Sequence, residues 1–206
     1  MTLHKSGAAA GPLRVAVLVS HAGSNLRALH EASRRPDAPF RIALVVSNNS
    51  GSAGLAFARE QGIAARHLSG RTHPDPDALD AALCAALRDA RAGLLVTAGY
   101  LRRLGPRTLR EFAGRAINVH PSLLPAHGGP GMYGEAVHRA VLAAGDTRSG
   151  ASVHALTAVY DEGPVLDRLE VPVAPDDTVE TLAARVLAAE HALLPRVVAR
   201  LAAQEG

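Results

Sequence analysis

Leu13-Arg14-Val15-Ala16-Val17-Leu18-Val19 runs into Ser20-His21-Ala22-Gly23-Ser24-Asn25, after which Leu26, Leu29 and His30 recur at helical spacing. An apolar, β-branched run, a turn of small residues and a 3.6-residue period predict strand, turn and helix in that order. The unit repeats along the chain. Strand 41–46 is followed by a Ser/Asn/Gly turn and a helix near 52–61, a helix near 76–90 leads into strand 94–98, and a short helix from Pro106 precedes strand 116–119. Strands that are apolar throughout and separated by amphipathic helices belong to a parallel sheet covered on both faces, so this part of the chain is read as Rossmann-like. Beyond residue 120 the pattern changes to a Gly/Pro-rich loop (125–134), a helix near 135–144, strands near 151–158 and 165–173, and a helix from about 177 to 202. The expected fold class is α/β: a mostly parallel central sheet with helices on both faces and an antiparallel strand pair in the C-terminal part.

A chain of 206 residues with 48% hydrophobic and 20% charged content can bury a full core. Residues 1–12 are expected to be a flexible leader and 13–206 a single domain, with halves 13–120 and 121–206. The net charge of +3 comes from scattered arginines without a basic tract interleaved with aromatics, which argues against a nucleic-acid partner. Apolar runs are short and broken by charge, so neither a secretory signal nor a membrane span is expected, and the location is read as cytoplasmic. Cys84 lies among alanines and leucines and is read as a small buried hydrophobe rather than a nucleophile. The ten histidines show no HxxxH or HxH spacing, and no metal is assigned.

Two places carry chemistry. At the first turn, Gly23, Ser24 and Asn25 stand where backbone N–H groups and the positive end of a helix dipole face one point, which suits a single phosphate. An ordinary helix cap by Ser24 or Asn25 fits the same residues. The stronger signal is Asn118-Val119-His120-Pro121-Ser122-Leu123-Leu124-Pro125, at the carboxyl end of a parallel strand. Side chains two apart on a strand share a face, so Asn118 and His120 point into one pocket, where an amide donor and an imidazole suit acyl transfer. Asp161, in Tyr160-Asp161-Glu162-Gly163-Pro164, is the candidate anion that would keep His120 protonated, although the same run also suits a plain turn. His127 and His138 lack spaced partners and are expected to face solvent.

The run Asn-x-His-Pro-Ser-Leu-Leu-Pro, followed by Ser152-Val153-His154 and Asp161-Glu162-Gly163-Pro164, resembles the phosphoribosylglycinamide formyltransferases, folate-dependent enzymes of purine synthesis, and the resemblance runs from about residue 13 to about 200. It implies a formyltransferase fold, with a phosphate-binding half at 13–120 and a folate and catalytic half at 121–206. The activity implied is transfer of the formyl group of 10-formyltetrahydrofolate to the amine of a glycinamide ribotide without a metal, in a monomer or homodimer whose partners are small molecules. Asn118, His120 and Asp161 would be catalytic, with Asp161 raising the His120 pKa and His154 in support. The ribotide would meet Gly23, Ser24, Asn25, Leu187, Ala188, Ala189 and Glu190. The folate would meet Leu101, Arg102, Arg103, Leu104, Asn118, Thr157, Ala158, Val159, Tyr160 and Asp161. His21 stands where the family usually has glycine, so a left-handed backbone there would be costly. Ala151 replaces a usual threonine, and Arg71 is the cation available for the folate tail. A hydrolase of the same folate and a tRNA-directed formyltransferase would each need a further domain. A sugar-nucleotide formyltransferase and a non-catalytic phosphate-binding protein are the remaining alternatives.

Overall fold

The computed structural model describes residues 11–204, so the expected leader lies outside the described residues except at Gly11 and Pro12. Seven strands form one sheet in the order β3-β2-β1-β4-β5-β6-β7. These are β1 (Leu13–Val19), β2 (Phe40–Ser47), β3 (Ala65–His67), β4 (Leu94–Thr97), β5 (Ala116–His120), β6 (Arg148–Ala155) and β7 (Val165–Pro172). The first five are parallel, β6 runs antiparallel to β5, and β7 antiparallel to β6. Six helices connect them: α1 (Ser24–Ser33), α2 (Ala53–Glu60), α3 (Pro76–Asp89), α4 (Pro106–Glu111), α5 (Glu135–Ala144) and α6 (Val179–Gln204).

β1 shows why both faces need cover. Alternation along a strand sends Val15, Val17 and Val19 to one side and Ala16 and Leu18 to the other, and all five are fully buried. The first set packs with Leu26 and Leu29 of α1, Phe57 of α2, and Leu193 and Val197 of α6. The second packs with Leu83 and Leu87 of α3 and with Phe112 after α4. Cys84 is buried beside this second cluster, its Sγ 3.3 Å from Thr108 Oγ1, and burial pushes its thiol pKa up, in keeping with a small core residue.

Three local findings differ from the sequence reading. β3 was not expected, since Ala65-Arg66-His67 is too short to show a pattern and pairs only with β2 at the sheet edge. β6 begins at Arg148 and ends at Ala155, not at 151 and 158, because the backbone ladder to β7 begins with the polar residues Arg148 and Ser149. At the first turn the left-handed backbone belongs to Gly23, at φ 71°, and His21 has no positive φ. A Cβ on Gly23 would stand 2.7 Å from the Gly54 Cα, so the α1–α2 approach itself requires glycine there.

A long-range cap positions the segment after β4. Asp80, in the middle of α3, is 5% exposed and accepts bonds from the amides of Arg107 (2.7 Å) and Thr108 (3.1 Å) and from Thr108 Oγ1 (2.6 Å). It thereby supplies the cap that Gly105, the residue before α4, cannot. A Cβ on Gly105 would fall 2.2 Å from the Asp80 carboxylate. Because three donors would lose their acceptor together, Asp80→Ala is expected to cost about 3 kcal/mol of stability in urea unfolding. An unchanged midpoint would show that the cap is not holding α4.

Candidate active site

Three neighbouring strands place a row of polar side chains on one face. Thr97, Asn118 and His154 are register partners across β4, β5 and β6. Thr97 Oγ1 donates to Asn118 Oδ1 (2.7 Å), and Asn118 Nδ2 donates to His154 Nε2 (3.1 Å). His154 Nδ1 donates to the Ala155 carbonyl (3.0 Å), which fixes the tautomer in which Nε2 accepts. The Asn118 amide is thus held at both ends and keeps one N–H for a ligand. His120, two residues on, lies on the same face, 3% exposed, and its Nε2 donates to the His127 carbonyl (2.9 Å).

Asp161 stands between the two histidines at φ 55°. One carboxylate oxygen is 3.4 Å from His154 Nε2; the other is 3.6 Å from His120 Nδ1 and accepts from the Gly129 amide (2.9 Å). Burial alone would raise the Asp161 pKa, but the contacts from His154 and Gly129 and the neighbouring His120 outweigh it, and the carboxyl lies below its ordinary value. For His120 the balance goes the other way. Burial pushes its pKa below the ordinary histidine value, and the His127 carbonyl and Asp161 only partly offset this. The expectation that Asp161 holds His120 protonated is therefore corrected: Asp161 raises the pKa, burial lowers it more, and the resting imidazole is neutral at neutral pH.

The other expected residues fall into two groups around this centre. α1 starts at Gly23 without a side-chain cap and without an acid in its first turn, so neither Ser24 nor Asn25 is spent on capping. Asn25 Nδ2 donates to Glu190 Oε2 across the α1–α6 contact (2.6 Å), and Asn25 Oδ1 is buried without a partner. Leu187 and Ala188 are exposed on the same stretch of α6, while Ala189 and Glu190 are buried. Burial raises the Glu190 pKa to about 7 against the lowering effect of Asn25. On the other side, Leu101, Arg102 and Arg103 are exposed and Leu104 half-buried, opposite exposed Thr157, Ala158, Val159 and Tyr160. The Arg103 guanidinium lies 4.4 Å from the centre of the Tyr160 ring and ties the two segments together. The Leu101 amide donates to Ser20 Oγ (2.9 Å).

Sequence reasoning missed some neighbours. An open groove of about 440 Å³ at the carboxyl ends of β1, β2 and β3 is lined by His21, His67, Arg71 and Arg102 and by no carboxylate. It lies beside the β1/β4 switch point of the strand order, where open α/β sheets place ligands. His67 could not be found without β3. His138 is buried at 5% exposure, and His127 bonds Asp146 (2.6 Å), so neither faces solvent as expected. The helical spacing of His138 with the buried Val137 and Val141 was the available signal. Among the described residues no cluster of His, Cys, Asp and Glu could hold a metal, and no helix is long and apolar enough to cross a membrane.

Residues 13–198 match the formyl transferase family. A chloroplastic phosphoribosylglycinamide formyltransferase of Vigna unguiculata is 40% identical over 189 residues, 91% of this chain and 60% of the relative. The trifunctional purine biosynthetic protein adenosine-3 of Drosophila pseudoobscura pseudoobscura is 40% identical over 92% of this chain, which spans 14% of that relative's length. Among solved structures, the phosphoribosylglycinamide formyltransferase of Brucella melitensis is 40% identical with a TM-score of 0.87, covering 93% of this chain and 96% of that one.

The buried Glu190 makes stability fall with pH. A folded carboxyl that holds its proton up to about pH 7, against 4.5 when free, binds more protons than the unfolded chain between those values, so stability drops as pH rises through that window. Asp161 and Asp177, whose pKa values are lowered, act in the opposite sense and only below pH 3.8. Denaturation at pH 5 and pH 8 is expected to show wild type losing on the order of 3 kcal/mol relative to Glu190→Gln. An identical difference at both pH values would contradict this.

Proposed function

The chain belongs to the formyl transferase family, and we propose that it transfers the formyl group of 10-formyltetrahydrofolate to the amine of N1-(5-phosphoribosyl)glycinamide, a step of de novo purine synthesis. The observation that carries this reading is the convergence of Asn118, His120 and Asp161 between an anion cradle and an exposed apolar cleft. The uncapped N-terminus of α1 offers the Ser24 and Asn25 amides to the ribotide phosphate. Glu190, joined to Asn25, stands where it can accept from a ribose hydroxyl. The pterin fits between Leu101–Leu104 and Thr157–Asp161, where Leu101, Val159 and Tyr160 expose apolar surface. Arg71 and Arg102 offer cations to the carboxylate tail of the folate, and His21 and His67 line the same groove.

The amine attacks the formyl carbon, and the carbonyl oxygen becomes an oxyanion that accepts the free N–H of Asn118. His120 enters neutral, with Nε2–H committed to His127, so Nδ1 is the nitrogen that takes the amine proton. The imidazolium so formed lies 3.6 Å from the Asp161 carboxylate, which stabilises it at that moment. His120 then delivers the proton to N10 of the folate as the C–N bond breaks. One C–N bond forms, one breaks, and one proton moves from amine to leaving nitrogen. His154 accepts from Asn118 and so fixes its amide, and it touches neither reactant.

Each of Asn118→Ala and His120→Ala is expected to lower kcat about 10²-fold or more, followed by folate absorbance with glycinamide ribotide as acceptor. Full activity in His120→Ala would rule out this chemistry. Since the base must be neutral, activity falls as pH drops through the His120 pKa, with a midpoint below 6.5. Asp161→Asn removes a contribution that raises that pKa, so the acid limb of its residual rate should move to still lower pH; a move upward would refute the assignment.

A further inference from the structure

The bond between His127 and Asp146, His127 Nε2 donating to Asp146 Oδ2 at 2.6 Å, has no part in the formyl transfer described above. The backbone around His127 is the part of the molecule that grips the reacting centre from behind. The His127 carbonyl accepts from His120, and two residues later the Gly129 amide donates to Asp161. One short stretch of chain therefore sets the ring of the base and the carboxylate that faces it.

That stretch is held in an unfavourable shape. His127 has φ 52°, a left-handed conformation that costs a bulky residue on the order of 1 kcal/mol or more and persists only where surrounding contacts determine it. Before it, Ser122 Oγ donates to the Ala126 carbonyl (2.6 Å). At His127 itself the remaining side-chain contact is Asp146, and Asp146 stands on a rigid base. α5 ends at Gly145 with φ 68°, whose amide bonds the Leu142 carbonyl (3.1 Å), while the Asp146 amide bonds that of Val141 (3.3 Å). This Schellman turn fixes the aspartate against a packed helix end.

We propose that Asp146 and His127 are positioning residues: their pair clamps the 126–129 backbone so that the His127 carbonyl holds His120 in its Nε2–H form, leaving Nδ1 for the proton transfer. The proposal rests on the formyl-transfer reading only for its kinetic arm. Without the clamp the carbonyl can swing away, the imidazole is free to take either tautomer, and the base is present in the wrong form for part of the time. Substrate contacts do not pass through this pair, so its loss acts on the chemical step rather than on binding.

Three variants of the whole chain test it: Asp146→Ala, Asp146→Asn, whose amide oxygen still accepts from His127, and His127→Ala. Long-range imidazole ¹H–¹⁵N spectra report the His120 tautomer without any need for turnover. Wild type and Asp146→Asn are expected to show a single Nε2–H form of His120, and Asp146→Ala and His127→Ala a mixture. In kinetics, Asp146→Ala should lose about tenfold or more in kcat with both KM values within about twofold, and Asp146→Asn should recover most of the rate. Melting temperature should fall by no more than about 4 °C, as for a partly exposed hydrogen-bonded pair. An unchanged tautomer in Asp146→Ala overturns the proposal, and so does a rise in KM at constant kcat, which would make the loop a binding lid. A protein without formyl transfer in its wild-type form would sink the functional reading while leaving the tautomer result to stand on its own.

Discussion

Where β6 pairs antiparallel with β5, the chain gains something an all-parallel sheet would not give: His154 is placed level with Asn118, and the connection from Ala155 to Val165 folds back over the same face. This change of direction is what the site depends on. A parallel neighbour needs a crossover of a dozen or more residues. The antiparallel hairpin instead returns Asp161 above His120 and His154, so one carboxylate meets both rings. The parallel half of the sheet has the complementary task. Its strand order puts the turn after β1 beside the turn after β4, so the uncapped N-terminus of α1 and the exposed segment Leu101–Arg103 open next to each other.

Electrostatics at the centre follow from how deeply each group is buried. His120 is nearly inaccessible, and desolvation of a cation there outweighs a carboxylate 3.6 Å away, so the ring rests neutral. Asp161 is less enclosed, accepts from the Gly129 amide and has both imidazole rings beside it, so its pKa stays below the ordinary value and it is ionised. The result is an imidazole whose charged form is disfavoured at rest and whose best partner already stands beside it. Glu190 shows the opposite outcome for a carboxyl. With one amide donor and burial, it holds its proton up to about pH 7, while Asp161 does not.

Features visible in the sequence were those whose cause is local. The continuous apolar run of β1, the helical periods and the Gly/Pro loop are consequences of burial on nearby residues, and Glu135–Ala144 falls at its expected limits. Asn118 and His120 were legible as a pair because a strand imposes a period of two, whereas their union with Asp161, like the roles of Glu190 and Leu101–Leu104, came from resemblance to a family. The cap from Asp80 to α4 joins residues 28 apart, and the His127–Asp146 bond joins residues 19 apart. Neither leaves a periodic trace. The neutral state of His120 was misjudged for a related reason: the attraction of Asp161 can be guessed from a motif, while the desolvation that overrides it depends on everything packed around the ring.

Backbone strain separates these cases further. Among the described residues, three that are not glycine have positive φ: Arg91, His127 and Asp161. Arg91 sits exposed in the turn between α3 and β4, its amide bonded to Arg88, and its conformation does no more than reverse the chain. The other two face each other across the centre, and each is bound to the other's neighbourhood, Asp161 to the Gly129 amide and His127 to His120. A left-handed aspartate or histidine on a loop would relax if the loop were free. Two of them in adjoining loops, each fixed by contacts with the same buried His120 ring, are better explained as shapes imposed by the cluster they hold than as accidents of two turns.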